Sequence, residues 1–430
     1  MKSLRNRFLF GLMALAVIVA ACAPVTTPNP TAAPPTEPPT AIPPTAMPPT
    51  EAPTQAPTEA PVMATSKTPA ANLRVALDML LAEHVYLAVS ATGGALGGRT
   101  SQFEAAAAAL DANSVDLSKA IGSVYGQEAE DAFLPLWRSH IGFVVDYTTG
   151  LATKDQAMQD KAVQDLLGYA EDFGAFLNSA NPNLSKEAVA ELVTMHILTL
   201  KDVIDAQAAG DAPKSFTTRR EAFGHMSMIA TALASGIAKQ FPEKYTGAVD
   251  SAAANLRSRL NLQLAEHAYL AAYATGAALG GRTAEFEAAA AALDANSVDL
   301  SKAIGSVYGQ EAEDAFLPLW RSHIGFVVDY TTGLATKDQA MQDKAVQDLL
   351  GYTGDFGAFL NSANPNLPKD VVAELVKMHI LTLKDVIDAQ AAGDQTKVYV
   401  SVREAFSHMS MIADPLAEAI VQQFPEKFAQ

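Results

Sequence analysis

The residues of this chain that could do chemistry are its eight histidines, and they come in pairs. His84, His140, His196 and His225 recur as His267, His323, His379 and His408, each displaced by 183 residues. Imidazole titrates near neutrality and is the commonest metal ligand among side chains. Each of the four falls on a different predicted helix, in phase with the apolar residues of that helix. Four imidazoles can therefore meet in one bundle interior, which is how helical bundles build metal sites. Glu83 adjoins His84 and Glu221 lies one turn before His225, with Glu266 and Glu404 as counterparts. Thioethers are close in sequence too: Met195 beside His196 and Met226 beside His225, repeated as Met378 and Met409.

Imidazole with thioether suits copper, and imidazole with carboxylate suits zinc or iron. On ligand softness copper is favoured over zinc or iron. A di-iron carboxylate centre is disfavoured because Glu-x-x-His pairs are missing. Covalent c-type haem is excluded by the absence of Cys-x-x-Cys-His, while a non-covalent haem between two histidines stays open. The competing expectation is that the histidines are packed, hydrogen-bonded core residues and the methionines filler. No catalytic motif is found. Ser139 and His140 are adjacent on one helix without a triad or oxyanion element, and Gly97-Gly98-Arg99 reads as a helix terminator. An enzyme is not expected.

The elements that must position these residues are all helices. Leu77, Leu80, Leu81, His84, Ala88 and Ala91 recur at three- and four-residue steps and predict an amphipathic first helix ending near Gly97-Gly98. An alanine-rich second helix runs from about Ser101 to Tyr125-Gly126. The third carries Phe133, Leu136, Trp137, His140, Val144 and Tyr147 on one face. Thr153-Lys154-Asp155-Gln156 has capping-box spacing and predicts the start of a fourth helix toward Asn178. A fifth spans Ser185 to Ala209-Gly210, and a sixth Phe216 to Gln240. No segment alternates as a strand does. The fold expected is all-α: two tandem antiparallel bundles of about six helices, at 71–247 and 254–430, joined by a short junction at Ser251-Ala252-Ala253.

The duplication is informative only where the copies have diverged. Phe103 to Tyr169 equals Phe286 to Tyr352 without a change, so the pairing of His140 with His323 there records copying alone. In the first helix Ala76, Leu80 and Ser90 face Arg259, Gln263 and Tyr273, yet Leu81-Ala82-Glu83-His84 persists as Leu264-Ala265-Glu266-His267. In the sixth, Ser215, Thr217 and Arg219 become Val398, Val400 and Val402 around a retained histidine. His84 with His267 and His225 with His408 are on this reading the better supported pairs, followed by His196 with His379.

The N-terminal segment predicts an address. Lys2, Arg5 and Arg7 precede an apolar run from Phe8 to Ala21, too short to span a bilayer and suited to a signal peptide over 1–21. Val19-Ala20-Ala21-Cys22 looks like a bacterial lipobox, in which Cys22 becomes the lipidated residue and anchors an extracytoplasmic protein to the membrane. From there to residue 70 the composition collapses to Pro, Thr, Ala and Glu, a disordered tether whose reach is on the order of 140 Å if fully extended as polyproline. With 47 acidic and 30 basic residues the net charge is −17, which leaves no basic stripe for nucleic acid.

Ala-Glu-His in the first helix, Trp137-Arg138-Ser139-His140-Ile141-Gly142-Phe143-Val144-Val145-Asp146-Tyr147, Met195-His196 and Arg220-Glu221-Ala222-Phe223-Gly224-His225-Met226 together resemble a group of secreted bacterial helical domains. These are labelled by association with the N-terminal region of copper amine oxidases. The resemblance covers both copies and implies that the eight histidines are signature positions. It does not imply oxidase activity: those enzymes are β-rich and build a quinone from tyrosine in Asn-Tyr-Asp/Glu, and no Asn-Tyr occurs here. The expectation is a lipid-anchored protein displaying two bundles for metal binding or sequestration, and the alternative is a non-catalytic structural or interaction module of the cell envelope.

Overall fold

A computed structural model describes residues 64–428. The signal segment, Cys22 and nearly all of the tether lie outside the described residues. Among those described there are 13 helices and no strand. The first repeat comprises α1 (Pro69–Leu96), α2 (Thr100–Tyr125), α3 (Gln127–Thr153), α4 (Gln156–Ala180), α5 (Lys186–Ala209) and α6 (Ala212–Gln240). The second comprises α7 (Ala252–Leu279), α8 (Thr283–Tyr308), α9 (Gln310–Thr336), α10 (Gln339–Ala363), α11 (Lys369–Ala392) and α12 (Gln395–Gln423), followed by the single turn α13 (Pro425–Phe428). The all-α architecture of about six helices per repeat is as the periodicity predicts.

Local chemistry sets the boundaries, and four differ from expectation. Pro69 and Ala70 belong to α1 and not to the tether, because Thr68 caps the helix by accepting from the Ala71 amide and proline suits a first turn. The tether's end is docked: the Ser66 hydroxyl and amide both donate to the Glu418 carboxylate, and Ser66 is wholly buried. Thr153 does not open α4. Its hydroxyl donates back to the Thr149 carbonyl at the end of α3, Lys154 turns the chain in the left-handed region at φ 59°, and Asp155 is the cap, accepting from Met158. Likewise Asp211 caps α6 ahead of Phe216, and Ser251 caps α7, so Ala252 and Ala253 are helical and not a linker.

The predicted amphipathicity of α1 also gives way. Leu81 through Gly94 are buried without a break, Glu83 and His84 included. The reason is position: α1 packs against α2, α5 and α6 of its own repeat and against α7 of the other. A helix enclosed on every side needs no polar face. It is long and apolar enough to cross a membrane, but 83% of its most apolar stretch is buried inside the protein.

The two repeats lie within one compact unit, and their seam has local twofold symmetry. Tyr86 stacks on Tyr269, its counterpart, with ring centroids 3.7 Å apart. The Arg220 guanidinium donates to Glu266 at 2.9 Å and to Asp299 at 2.8 Å, while Arg403 donates to Glu83 at 3.0 Å and to Asp116 at 2.8 Å. Each member of one set occupies the repeat position of its equivalent in the other. Arg74 reaches Asn255, and Arg257 reaches Asn72 in the same way. A surface that contacts its own equivalent is the isologous pattern of a twofold dimer, here within one chain.

Candidate metal centre

Consecutive helices joined by short turns reverse direction, so α1, α3 and α5 run parallel. His84, His140 and His196 sit on those three helices at equal steps of 56 residues. One step is one full up-and-down passage of the bundle, which returns the chain to the same level. The three rings meet there. His84 and His140 face each other with their Nε2 atoms 3.3 Å apart, and the His84 centroid lies 5.2 Å from that of His140 and 5.8 Å from that of His196. In the second repeat His267, His323 and His379 repeat the arrangement at 3.2, 5.1 and 5.7 Å. In each triad one nitrogen per ring lies within 4.8 Å of the others. Two imidazole nitrogens held about 2.0–2.1 Å from one tetrahedral ion stand about 3.3 Å apart. The closest pair already has that separation, and the third nitrogen, within 4.8 Å of the others, must close by up to about 1.5 Å.

The surroundings keep the rings neutral. None of the three is more than 5% exposed. Burial, then the neighbouring His140 and His196, holds His84 well below its ordinary pKa of 6.5. Burial first and His196 second push His140 down to about 3, and burial followed by His225 pushes His196 to about 4. A neutral imidazole is the ligand form. Aromatic rings wall the cluster: Trp137 lies 4.9 Å from His84 and 4.7 Å from His140, and Tyr169 lies 4.9 Å from His140. Several polar atoms here have no partner within the protein, among them His84 Nδ1, both ring nitrogens of His196, Trp137 Nε1 and Tyr169 Oη. Buried polar atoms are paired in the great majority of cases, so a concentration of orphans at one place sets this part of the core apart from the rest.

The other candidate ligands stay out. His225 and His408, expected as the better supported pairs with His84 and His267, donate from Nε2 to the carbonyls of Leu192 and Leu375 at 2.8 and 3.0 Å. They sit on the antiparallel helices α6 and α12 and stand outside both triads. Glu83 and Glu266 turn to the seam, each taken by Asn113 or Asn296 and by an arginine of the other repeat. Glu221 and Glu404 are exposed, as are Met195 and Met378. Met226 and Met409 are buried in the apolar cores. The donor set that converges is thus three nitrogens, and the preference for copper drawn from neighbouring thioethers loses its basis. His140 and His323, whose pairing looked uninformative because the whole segment was copied, are members of the triads.

Three neutral imidazoles from three helices can hold one transition-metal ion and leave a fourth position. A scan of family models, a search of curated proteins and a search of solved structures each found no match to this chain.

Proposed function

We propose that the protein is a metal-binding module with one transition-metal ion per repeat, held by His84, His140 and His196 and by His267, His323 and His379. The observation that carries this is the meeting of three buried imidazoles amid orphaned polar atoms, twice in one chain. Binding or sequestration is the role that three converging neutral imidazoles support. Metal-bound imidazoles ordinarily pass their second N–H to a carboxylate or carbonyl, and losing such partners costs about 10–100-fold in affinity. Nδ1 of His84 has no such acceptor within the protein. The sites therefore suit ions that are taken up and given back. Three of the four histidine motifs in the resemblance to secreted helical domains supply the triad, and the lipobox reading of Cys22 would place it outside the cytoplasm on a membrane anchor.

The alternative, histidines as packed core residues, draws on the 3.3 Å Nε2 to Nε2 approach, which one shared proton also satisfies. Metal counting separates the two. Purified protein loaded with copper(II) or zinc(II), freed of loose ions and analysed by mass spectrometry should hold about two ions per chain, and about one in His84→Ala. Retention below about 0.1 ion per chain overturns the site. Unchanged retention in His84→Ala with His267→Ala does so equally.

A further inference from the structure

The first triad is not sealed. A cavity of about 170 Å³ lies among α1, α2 and α3, with His84 and His140 in its wall. Ala88, Ala91, Phe103 and Val144 line it, and it reaches the surface beside Val145 and Thr149, both exposed. Its hydroxyls give it little polarity, because Thr92, Thr148 and Thr149 donate to helix carbonyls or to Gln207. No charged residue lines it. The size is near that of apolar cavities that stay dry and take benzene or xenon.

The duplication points to the same surface. Along α1 and α7 ten positions differ, among them Val85, Val89, Ser90 and Gly94 against Ala268, Ala272, Tyr273 and Ala277. The five that line the cavity do not: His84, Ala88, Ala91, Thr92 and Ala95 recur as His267, Ala271, Ala274, Thr275 and Ala278. Ser90 at the seam, Val85 and Val89 in the first repeat's core and Gly94 over Phe103 tolerated change, and the small side chains over the histidines did not.

We propose that this cavity admits a small, uncharged, apolar ligand of the diatomic-gas class to the triad, and that the open position of the bound ion receives it. The proposal rests on the metal reading above. The ligand class follows from the walls: an apolar passage penalises ions, which must shed water without a partner, and passes neutral molecules. The same lining residue types at the equivalent positions of the second repeat predict one such ligand per triad.

The test loads the full protein with copper(I), counts the metal, and adds carbon monoxide or azide. Carbon monoxide should give an infrared band for a copper-bound species at about one per retained ion, and azide should bind at least about tenfold more weakly. Ala91→Phe with Ala274→Phe fills the cavities and should remove most of the band while the metal count stays. Should that variant fold poorly, Thr149→Trp obstructs the mouth beside Val145, Thr332→Trp alters the equivalent position of the second repeat, and together they should slow carbon monoxide uptake at least about tenfold. Metal retained with no carbon monoxide band, a band indifferent to both variants, or azide binding as well as carbon monoxide overturns this proposal and leaves the metal site standing. Absence of retained metal overturns both.

Discussion

The two triads and the seam between the repeats are built on the same helices, and they have fared differently since the duplication. The triads scarcely differ: their Nε2 atoms approach to 3.3 and 3.2 Å, and their ring centroids stand 5.2 and 5.8 Å apart in one, 5.1 and 5.7 Å in the other. The seam keeps its arginine clamps but has exchanged its buried charges. In one half Asp78, fully buried, accepts from Ser258 and pairs with Arg74 at 3.6 Å. In the other, Asn261 takes its place and Arg257 pairs instead with Asp414, at 2.6 Å, where the first repeat has Thr231. Arg219 fills one half and Val402 stands at the equivalent position in the other. A site that draws on three helices cannot change one member without losing the set. A seam can change as long as each buried charge finds another partner.

The largest effect expected of this contrast is on pH dependence in the metal-free protein. His140 and His323 are pushed to about 3, and His196 and His379 to about 4, chiefly by burial. Unfolded, these groups take a proton near 6.5, so below that pH the unfolded chain binds protons that the folded chain refuses. Their stability contribution is complete above about 6.5 and is lost as pH falls toward 3–4. Asp78 works in the opposite sense. Burial raises its carboxyl to about 6 against the ordinary 3.8, so its contribution is complete below 3.8 and lost as pH rises through about 6. Urea midpoints from pH 8 to 4 should fall on the acid side in the wild type. Asp78→Asn should steepen that fall between about 6 and 4 by removing the opposing group. A flat profile in the metal-free protein would show that the imidazoles are not held neutral.

The clamps come next and should be symmetrical. Arg220→Ala strands Glu266, 4% exposed, and Arg403→Ala strands Glu83, 7% exposed. Removing one partner of a buried pair costs about 3–5 kcal/mol, and the partial exposure of both arginines places each near the low end. Chemical denaturation should give equal losses for the two. A difference above about 1.5 kcal/mol would mean that the shared geometry hides unequal surroundings.

What could be read in the sequence follows the same division. Helix number and type were legible because period and turn residues act locally, and the Gly97 and Gly210 stops fall where expected. Thr153 misled because a capping-box spacing says nothing of which residue takes the left-handed turn. The burial of α1 was illegible because the second repeat, not its own, covers one side. The triad was partly legible. Drift in the flanks singled out His84 but also His225, whose persistence reflects a bond to the Leu192 carbonyl. The signal that separates the triad from His225 is the equal step of 56 residues, which puts His84, His140 and His196 at one level on parallel helices.

A smaller effect tests whether the seam's buried charges are interchangeable. Asp78→Asn leaves Arg74 with carbonyl and amide partners alone, while Thr231→Asp should offer it the carboxylate that Asp414 offers Arg257. The double variant rebuilds the second half's pattern in the first. It should recover about 1–2 kcal/mol relative to Asp78→Asn, measured as a coupling energy in a double-mutant cycle. No coupling would mean that the second half owes its arrangement to more than these two positions.

The smallest expected effect concerns Arg219. Its guanidinium lies 4.2 Å from the ring centroids of both Phe216 and Tyr273, is 5% exposed, and has Nε and Nη1 without partners. In the other half Val402, Tyr399 and Ser90 stand at the equivalent positions around a cavity of about 150 Å³. Stacking a desolvated guanidinium on an aromatic face contributes about 2 kcal/mol, and leaving buried N–H donors unpaired costs about 1–3 kcal/mol. The two terms nearly cancel, so Arg219→Val should shift stability by less than about 1 kcal/mol even though it removes a large buried side chain. The coupling between Arg219 and Tyr273 should nevertheless be favourable by about 1 kcal/mol in a cycle with Tyr273→Ser, because that residue is the one the other half lacks. Val402→Arg alone should gain less, because Ser90 stands where Arg219 has Tyr273, and adding Ser90→Tyr should restore the difference. If Val402→Arg stabilises without the added tyrosine, the seam wanted volume at this position and the charge on Arg219 is incidental.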